Sequence, residues 1–284
     1  MASPHMLLKA SQMRAKKQLG QNFLTDPQTA EAIVARSRVG PRAVVLEIGA
    51  GLGALTVPLA RKAARVLAVE KDRELVPLLK TELRAKGITN VAVTTADILV
   101  LDWESLAQAP GQKLLVMGNL PYNISSQILV RLVRHRHRVE RAVLMFQKEL
   151  AQRITAAPGN RDYGRLAVML QYCARIRPVM DLKASQFYPR PKVDSIVLEI
   201  EFHPAPPTPA DDEEFFSQVV KAAFGQRRKT LRNALSGSQL ALKPTAAAAV
   251  LQAVAIDPSR RAETLSIAEF VALSNALGRR PGTE

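Results

Sequence analysis

Short apolar runs that alternate with helical segments organise the N-terminal part of the chain. These runs lie at residues 44–48, 65–70, 90–97, 114–117 and 142–147. Continuous apolar runs are typical of strands that are buried on both faces of a parallel sheet. Strands that alternate with helices predict an α/β fold with a doubly wound, Rossmann-like sheet. A run at 195–202 alternates apolar and polar residues and predicts a final strand.

Local signals predict where several helices begin. Asp26 followed by Pro27 is typical of an N-cap and the first position of a helix. Gly118 is expected to end the strand at 114–117, and apolar residues at helical spacing predict a helix over residues 124–133. Residues 1–6 are left outside the predicted fold.

The C-terminal part of the chain has only helical patterns. Residues 203–209, with the sequence HPAPPTP, form a proline-rich segment that is typical of a linker between domains. Helices are predicted over residues 213–224, 229–235, 245–255 and 266–277. We therefore expect an α/β domain over residues 1–205 and a small all-α domain over residues 206–284.

Polar residues at the predicted strand ends indicate a ligand site. Gly49 and Gly51 form a turn between the first of these strands and a helix, where a ligand can approach the backbone. Glu70 ends the next strand, and an acid about 20 residues after such a loop suits a ribose diol. Asp97 could accept from an adenine amino group, although a lone Asp there is more commonly a cap or turn residue. Open α/β sheets bind ligands at this edge.

The turn Asn119-Leu120-Pro121-Tyr122 follows the strand at 114–117 and carries the candidate chemistry. The amide oxygen of Asn119 and the carbonyl oxygen of Pro121 could together accept from an exocyclic amino group and make its nitrogen more nucleophilic. The ring of Tyr122 offers a face on which a base can stack. The alternative is an ordinary strand-to-helix turn, stiffened by Pro121.

The charge of the chain favours a polyanionic partner. The 284 residues contain 40 Lys and Arg against 25 Asp and Glu, which gives a net charge of +15. Nucleic acid and anionic membrane surfaces both suit such a charge. No stretch approaches a membrane span and no signal peptide is evident, so we expect a soluble cytoplasmic protein. Its single cysteine, Cys173, cannot form an internal disulfide.

Three clusters of cations are candidates for contacts with RNA phosphates. They contain Lys16, Lys17, Arg134, Arg136, Arg138, Arg227, Arg228, Lys229 and Arg232. The ordinary alternative for each cluster is a solvated surface or helix end. His135 and His137 lack Cys or carboxylate neighbours in the sequence, so we predict no metal site.

The order of these features discriminates between cofactors. The glycine turn also fits the dinucleotide fingerprint, because Ala54 follows Gly51 at the required spacing. An oxidoreductase would need a site for hydride transfer, and no residue suggests one. A glycine turn, two acids and the Asn119 turn, in this order, fit a cofactor with a ribose, an adenine and a reactive methyl group. That cofactor is S-adenosylmethionine.

Six short motifs make the chain similar to a known family. They are Gln-Asn-Phe-Leu at 21–24, Glu-Ile-Gly-Ala-Gly at 47–51, Asn-Leu-Pro-Tyr-Asn-Ile-Ser at 119–125, Gln-Lys-Glu at 147–149, Tyr-Gly-Arg-Leu at 163–166 and Pro-Lys-Val-Asp-Ser at 191–195. Together they resemble the KsgA/Dim1 family of rRNA adenine N6,N6-dimethyltransferases, particularly its bacterial branch, from about residue 18 to residue 276. The resemblance implies a class I methyltransferase sheet and dimethylation of two adjacent adenosines near the 3′ end of small-subunit (16S) rRNA.

The resemblance also implies roles for individual residues. The cofactor residues are Asn22, Leu24, Gly49, Gly51, Glu70, Lys71, Asp97, Ile98 and Asn119. Phe187, in a proline-rich loop, is implied to sandwich the target base against Tyr122. Its alternative is a core aromatic residue. The catalytic residues are then Asn119, Pro121, Tyr122 and Phe187.

The partners implied are small-subunit rRNA and the immature small ribosomal subunit, bound by a monomer. Two alternatives to this function stay open. A large-subunit rRNA adenine methyltransferase of the antibiotic-resistance type shares the fold and chemistry, although Leu120 and the motif at 191–195 favour the small subunit. The chain could also act mainly as an rRNA-binding assembly factor.

Overall fold

The computed structural model describes residues 4–106, 112–226 and 228–279. These residues fall into two compact units. The first unit extends to Ala151 and also contains Arg175–Phe202, and the second contains Gln152–Ala174 and the residues from His203 onward. The predicted domain boundary at residue 205 stays a prediction, and each unit is described separately.

The first unit is built on a seven-stranded sheet. The strands of the chain are β1 (Phe23–Leu24), β2 (Val44–Ile48), β3 (Arg65–Glu70), β4 (Val91–Thr95), β5 (Leu114–Asn119), β6 (Val139–Gln147), β7 (Ala174–Leu182), β8 (Phe187–Tyr188) and β9 (Ser195–Phe202). The sheet order is β4-β3-β2-β5-β6-β9-β7, and β1 pairs with β8 separately. The strands β4, β3, β2, β5 and β6 pair in parallel, and β9 is antiparallel to β6. The predicted doubly wound, Rossmann-like sheet is therefore confirmed.

Helices connect these strands and form the second unit. They are α1 (Pro4–Ala10), α2 (Pro27–Arg36), α3 (Thr56–Ala60), α4 (Leu75–Ala85), α5 (Ser125–Arg134), α6 (Lys148–Thr155), α7 (Arg165–Cys173), α8 (Glu213–Ala223), α9 (Leu231–Ser236), α10 (Pro244–Ala253) and α11 (Ile267–Gly278). Helix α2 begins as predicted, because the Asp26 carboxylate accepts from the backbone N–H groups of Gln28 and Thr29. The four predicted C-terminal helices are present. None of the described helices is long and apolar enough to span a membrane.

Strand β5 continues past the predicted end at Gly118. Gly118 pairs with Leu144 of β6, and the strand ends one residue later, at Asn119. A Cβ atom at Gly118 would overlap the carbonyl oxygen of Ile48 on the neighbouring strand β2. The glycine therefore allows two backbones to approach closely, and it does not end the strand.

Strand β7 and helix α1 are among the elements that the sequence did not predict. Strand β7 carries exposed charges and Pro178, which is tolerated because β7 lies at the edge of the sheet. Helix α1 includes residues that we left outside the fold. Its Leu8 is 3% exposed and packs with Phe23, Leu52 and Leu75.

The second unit includes residues that precede the predicted linker. The backbone N–H of Gly159 donates to the carbonyl of Glu263 at 2.7 Å. The rings of Tyr172 and Phe216 lie 4.5 Å apart. These contacts join residues 152–174 to the C-terminal helices, whereas the sequence placed them with the sheet.

Candidate active site

One pocket lies at the carboxyl ends of the parallel strands. It is lined by residues from the ends of β2, β3 and β5, from the segment after β4, and from the chain around β1. All nine predicted cofactor residues line it: Asn22, Leu24, Gly49, Gly51, Glu70, Lys71, Asp97, Ile98 and Asn119. The structure therefore brings together residues that are spread over nearly a hundred positions, and their roles as cofactor ligands stay a prediction.

The glycine turn and Glu70 form one wall of this pocket. Gly49 and Gly51 have φ angles of 74° and 55°, a region that favours glycine. The Glu70 carboxylate accepts from the backbone N–H of Gly51 at 2.8 Å and from that of Asp72 at 2.7 Å. Burial of the carboxyl raises the pKa of Glu70. A carboxylate has about four acceptor positions, so this one can still accept from a ligand hydroxyl.

Asp97 combines the two roles considered for it. Its Oδ1 accepts from the backbone N–H of Leu99 at 2.9 Å, as in an ordinary turn. Its Oδ2 accepts from the Lys71 ammonium at 2.8 Å. This hydrogen bond holds the pKa of Asp97 below its usual value. The carboxylate nevertheless lines the pocket, with Lys71 beside it.

The amide of Asn119 is held in one orientation. Its Nδ2 donates to the backbone carbonyl of Asn22 at 2.6 Å. A carbonyl can only accept a hydrogen bond, so the amide nitrogen must face Asn22. The amide oxygen of Asn119 is thereby turned away from Asn22. It can serve as the acceptor that the sequence predicted.

The carbonyl of Pro121, which the sequence suggested as the second acceptor, already receives two hydrogen bonds. Its carbonyl oxygen already accepts from the backbone N–H of Ile124 at 3.1 Å and from the Ser125 hydroxyl at 3.0 Å. Both lone pairs are used because the first turn of α5 needs acceptors. The carbonyl of Leu120, one residue earlier, accepts no hydrogen bond from the described residues.

The two candidate stacking residues have different surroundings. The hydroxyl of Tyr122 lies 2.9 Å from the Ser195 hydroxyl, which fixes a half-buried ring at the edge of the sheet. Phe187 is only 3% exposed and belongs to the hydrophobic core, because β8 pairs with β1 and places Phe187 opposite Leu24. The alternative of a core aromatic residue describes its surroundings, and the contact of Phe187 with a target base stays a prediction.

Lys16 is held by two carboxylates of the first unit. Its ammonium lies 2.8 Å from the Asp72 carboxylate and 2.7 Å from that of Glu74. These hydrogen bonds raise the pKa of Lys16. The contact of Lys16 with an RNA phosphate stays a prediction, as does that of Lys17, which is exposed and has no such ion pair among the described residues.

The cluster Arg134–Arg138 lies at the opposite edge of the sheet from the pocket. Strands β5 and β6 are parallel, so α5 must return the chain to the amino end of β6. Arg138 pairs there with Glu104 at 2.5 Å. A contact of Arg134, Arg136 or Arg138 with RNA would thus be separated from the pocket by about 20 Å, the length of a strand.

The third cluster lies in the second unit. Arg228, Lys229 and Arg232 are exposed, and Arg227 lies outside the described residues. The backbone N–H of Leu231 donates to the carbonyl of Arg260 at 2.7 Å, which brings a second basic segment alongside the first. Contact between these residues and RNA stays a prediction.

Sequence reasoning missed Glu47. This residue lines the pocket from within β2 and is 1% exposed. One of its carboxylate oxygens has no hydrogen-bond partner among the described residues. Burial raises the pKa of Glu47 to about 8. The signal available in the sequence was an acid inside an otherwise apolar strand.

Comparisons with known sequences agree over nearly the whole chain. A family described as "Ribosomal RNA adenine dimethylase" matches residues 12–275. The chain is 50% identical over 284 residues to the ribosomal RNA small subunit methyltransferase A of Desulforapulum autotrophicum, covering 100% of this chain and 99% of that protein. It is 43% identical over 278 residues to the protein of the same name from Myxococcus xanthus, covering 98% and 96%.

Solved structures have the same architecture. A dimethyladenosine transferase from Plasmodium falciparum superposes with a TM-score of 0.74 at 25% identity, covering 88% of this chain and 95% of that one. The 23S rRNA methyltransferase ErmE superposes with a TM-score of 0.67 at 25% identity, covering 90% and 100%. The full-length relatives are named for the small ribosomal subunit.

Proposed function

The chain belongs to the ribosomal RNA adenine dimethylase family, and from this premise we propose that it dimethylates N6 of two adjacent adenosines near the 3′ end of 16S rRNA. The orientation of Asn119 carries the proposal. Its amide oxygen is fixed as an acceptor at the edge of the pocket, where an exocyclic amino group can be gripped. A target base must leave its stack to reach such a pocket.

The residues of the pocket fit S-adenosylmethionine, the methyl donor of this family. Glu70 would hold the ribose diol, and Asp97 and Ile98 would hold the adenine. The methionine end would lie along Gly49 and Gly51, which have no side chain to block it and whose positive φ angles favour glycine. Bound there, the cofactor supplies an electrophilic methyl group on a sulfonium.

Positioning of the amine supplies most of the catalysis. We propose that the oxygens of Asn119 and Leu120 accept from the two N–H bonds of the adenine amino group. Leu120 replaces Pro121 in this role because its carbonyl receives no hydrogen bond from the described residues. Tyr122 supports the base by stacking. No strong base is required, since the nitrogen becomes acidic only once it is methylated and water can then take the proton.

We propose that Glu47 holds the ammonium group of the methionine end, which predicts a pH dependence. Before binding, burial raises the pKa of Glu47 to about 8. An adjacent ammonium group favours the charged carboxylate of Glu47 over its neutral carboxyl form. Binding near neutral pH should therefore release a proton from Glu47. Affinity should rise toward pH 8 by up to about tenfold per pH unit.

Calorimetry in two buffers of different ionisation enthalpy measures this proton release directly. The matched variant is Glu47→Gln, which preserves shape and cannot titrate. It should bind the cofactor with no linked proton release and with a flat pH profile. Equal proton release in the variant and the wild type would assign the proton to another group.

The exposed cations of the second unit are proposed to hold the RNA backbone. Replacing Arg228, Lys229 and Arg232 with Ala removes up to three phosphate contacts, so the slope of log K against log salt should flatten by up to about 2–3 units. Methylation should recover at high RNA concentration. Filter binding over a range of salt concentrations measures the slope.

The basic cluster at residues 134–138 provides a matched triple variant with the same change in charge. Replacing Arg134, Arg136 and Arg138 with Ala should also flatten the slope if the RNA is gripped at both places. An unchanged slope for the C-terminal triple variant would contradict the role given to Arg228, Lys229 and Arg232.

The proposed setting is the cytoplasm, where a monomer acts on the immature small ribosomal subunit without an obligate protein partner. Methylation would then be coupled to late assembly of the subunit. One experiment tests the function as a whole. The protein is incubated with undermethylated small subunits and labelled S-adenosylmethionine, and the modified nucleotides are mapped. We expect label on two adjacent adenosines near the 3′ end, whereas label confined to large-subunit rRNA would overturn the proposal.

A further inference from the structure

A short turn formed by residues 16–22, here called the N-terminal turn, directly contacts the turn at residues 119–122, here called the catalytic turn. The carbonyl of Asn22 accepts from the Asn119 amide at 2.6 Å, and the Asn22 side chain donates to the carbonyl of Gly20 at 3.0 Å. A Cβ atom on Gly20 would lie 3.2 Å from Cβ of Pro121. The N-terminal turn therefore determines where the Asn119 amide lies.

The carboxylate of Asp72 binds two residues of the N-terminal turn, Lys16 and Gln21. Oδ2 of Asp72 accepts from the Gln21 side chain at 2.7 Å, and Oδ1 accepts from the Lys16 ammonium at 2.8 Å. The Gln21 side-chain oxygen in turn accepts from the backbone N–H of Lys16 at 2.7 Å. Asp72 thus joins the first residue of the turn to the residue that precedes Asn22.

Asp72 is well suited to hold the turn rigidly. It is 4% exposed, and its backbone N–H donates to the Glu70 carboxylate at 2.7 Å. Burial opposes its charge, but the hydrogen bonds from Lys16 and Gln21 outweigh this effect and hold the pKa of Asp72 below its usual value. The carboxylate is therefore charged at neutral pH. It is not among the residues that line the pocket.

On the basis of the methyltransferase function given above, we propose that Asp72 is a positioning residue for methyl transfer, acting through Gln21 and Asn22 on the amide of Asn119. Hydrogen bonds on both sides of the Gln21–Asn22 peptide then connect Glu70, on the ribose side of the pocket, to the group that grips the amine. In-line transfer depends on this placement, because a misplacement of about 1 Å can cost about 100-fold in rate.

The hydrogen bond from the Gln21 side chain to the Asp72 carboxylate can be tested by exchanging its donor and its acceptor. Asp72→Asn sets an amide nitrogen against the Gln21 nitrogen, and Gln21→Glu sets a second carboxylate against Asp72. Each single variant should lower kcat by about tenfold or more, with the Kd for S-adenosylmethionine within about threefold of wild type. The double variant D72N/Q21E restores one donor and one acceptor, and should recover most of kcat.

Glu74→Gln is the matched control. Glu74 also pairs with the Lys16 ammonium, but its side chain is 59% exposed and no contact with Gln21 is present among the described residues. This variant should keep the wild-type kcat. Thermal unfolding of all variants verifies that each is folded.

A second readout does not depend on activity. The side-chain amide of Asn119, identified in a nitrogen-15 NMR spectrum by its loss in Asn119→Ala, should exchange with water faster in both single variants. It should return to the wild-type rate in D72N/Q21E. Unchanged exchange in the single variants, or a double variant as slow in kcat as the worse single one, would overturn the role of Asp72. A wild-type protein that leaves small subunits unmethylated would instead refute the proposed function, while the exchange rates would still test Asp72.

Discussion

Replacing Asn119 with alanine is expected to lower kcat for methyl transfer by at least about 10²–10³-fold, the effect of removing a preorganised polar group that contacts the reacting atoms. The variant loses the oxygen that accepts from the adenine amino group. Binding of RNA should change little, because it comes from many phosphate contacts. Single-turnover transfer from labelled cofactor, with RNA binding measured separately, distinguishes these two effects.

Ser126→Ala is a suitable control for Asn119→Ala. Ser126 is exposed in the first turn of α5 and lies outside the residues that line the pocket. It should retain wild-type turnover. Turnover within a fewfold of wild type in Asn119→Ala would show that a different group positions the amine, and the role of Leu120 would then need the same test.

The sequence was sufficient to predict where the pocket lies. Parallel strands end at one edge of a sheet, so Glu70, Asp97 and Asn119, each close to a strand end, had to meet the glycine turn there. This part of the site depends on the order and direction of strands, which short apolar runs predict well. The confirmed doubly wound sheet follows from the same pattern.

Contacts between segments that are far apart in the chain could not be predicted from the sequence. Phe187 is buried because β8 pairs with β1, across more than 160 positions. Lys16 looked like a surface cation because its partner Asp72 lies 56 positions away. Neither pairing has a local pattern, since both depend on how loops fold back over the edge of the sheet.

The choice of acceptor in the catalytic turn also needed the structure. Pro121 and Leu120 both offer a carbonyl, and only that of Pro121 was considered from the sequence. The backbone N–H of Ile124 and the hydroxyl of Ser125 occupy the Pro121 carbonyl. The general reason is that a helix N-terminus must find acceptors for its unpaired N–H groups, and nearby carbonyls supply them.

The approach of two strands at Gly118 leads to the second large expected effect. In Gly118→Ala the added Cβ meets the carbonyl oxygen of Ile48, which is backbone and cannot rotate away. Strands β2 and β5 must therefore separate just before Gly49 and Asn119. We expect the free energy of unfolding to fall by about 1–3 kcal/mol or more, as in other overpacked cores, together with a clear loss of cofactor affinity.

Gly40→Ala is the matched control, because a Cβ atom there has no heavy atom within 4 Å. Its stability should be unchanged or slightly higher, since alanine restricts the unfolded chain. Thermal unfolding with and without S-adenosylmethionine measures both variants. A Gly118→Ala protein with the melting temperature and cofactor-induced shift of Gly40→Ala would mean that the two strands can separate at this point without cost, and that the close approach does not maintain the pocket. We expect the reverse, because the oxygen of Ile48 belongs to the strand that leads directly into the glycine turn.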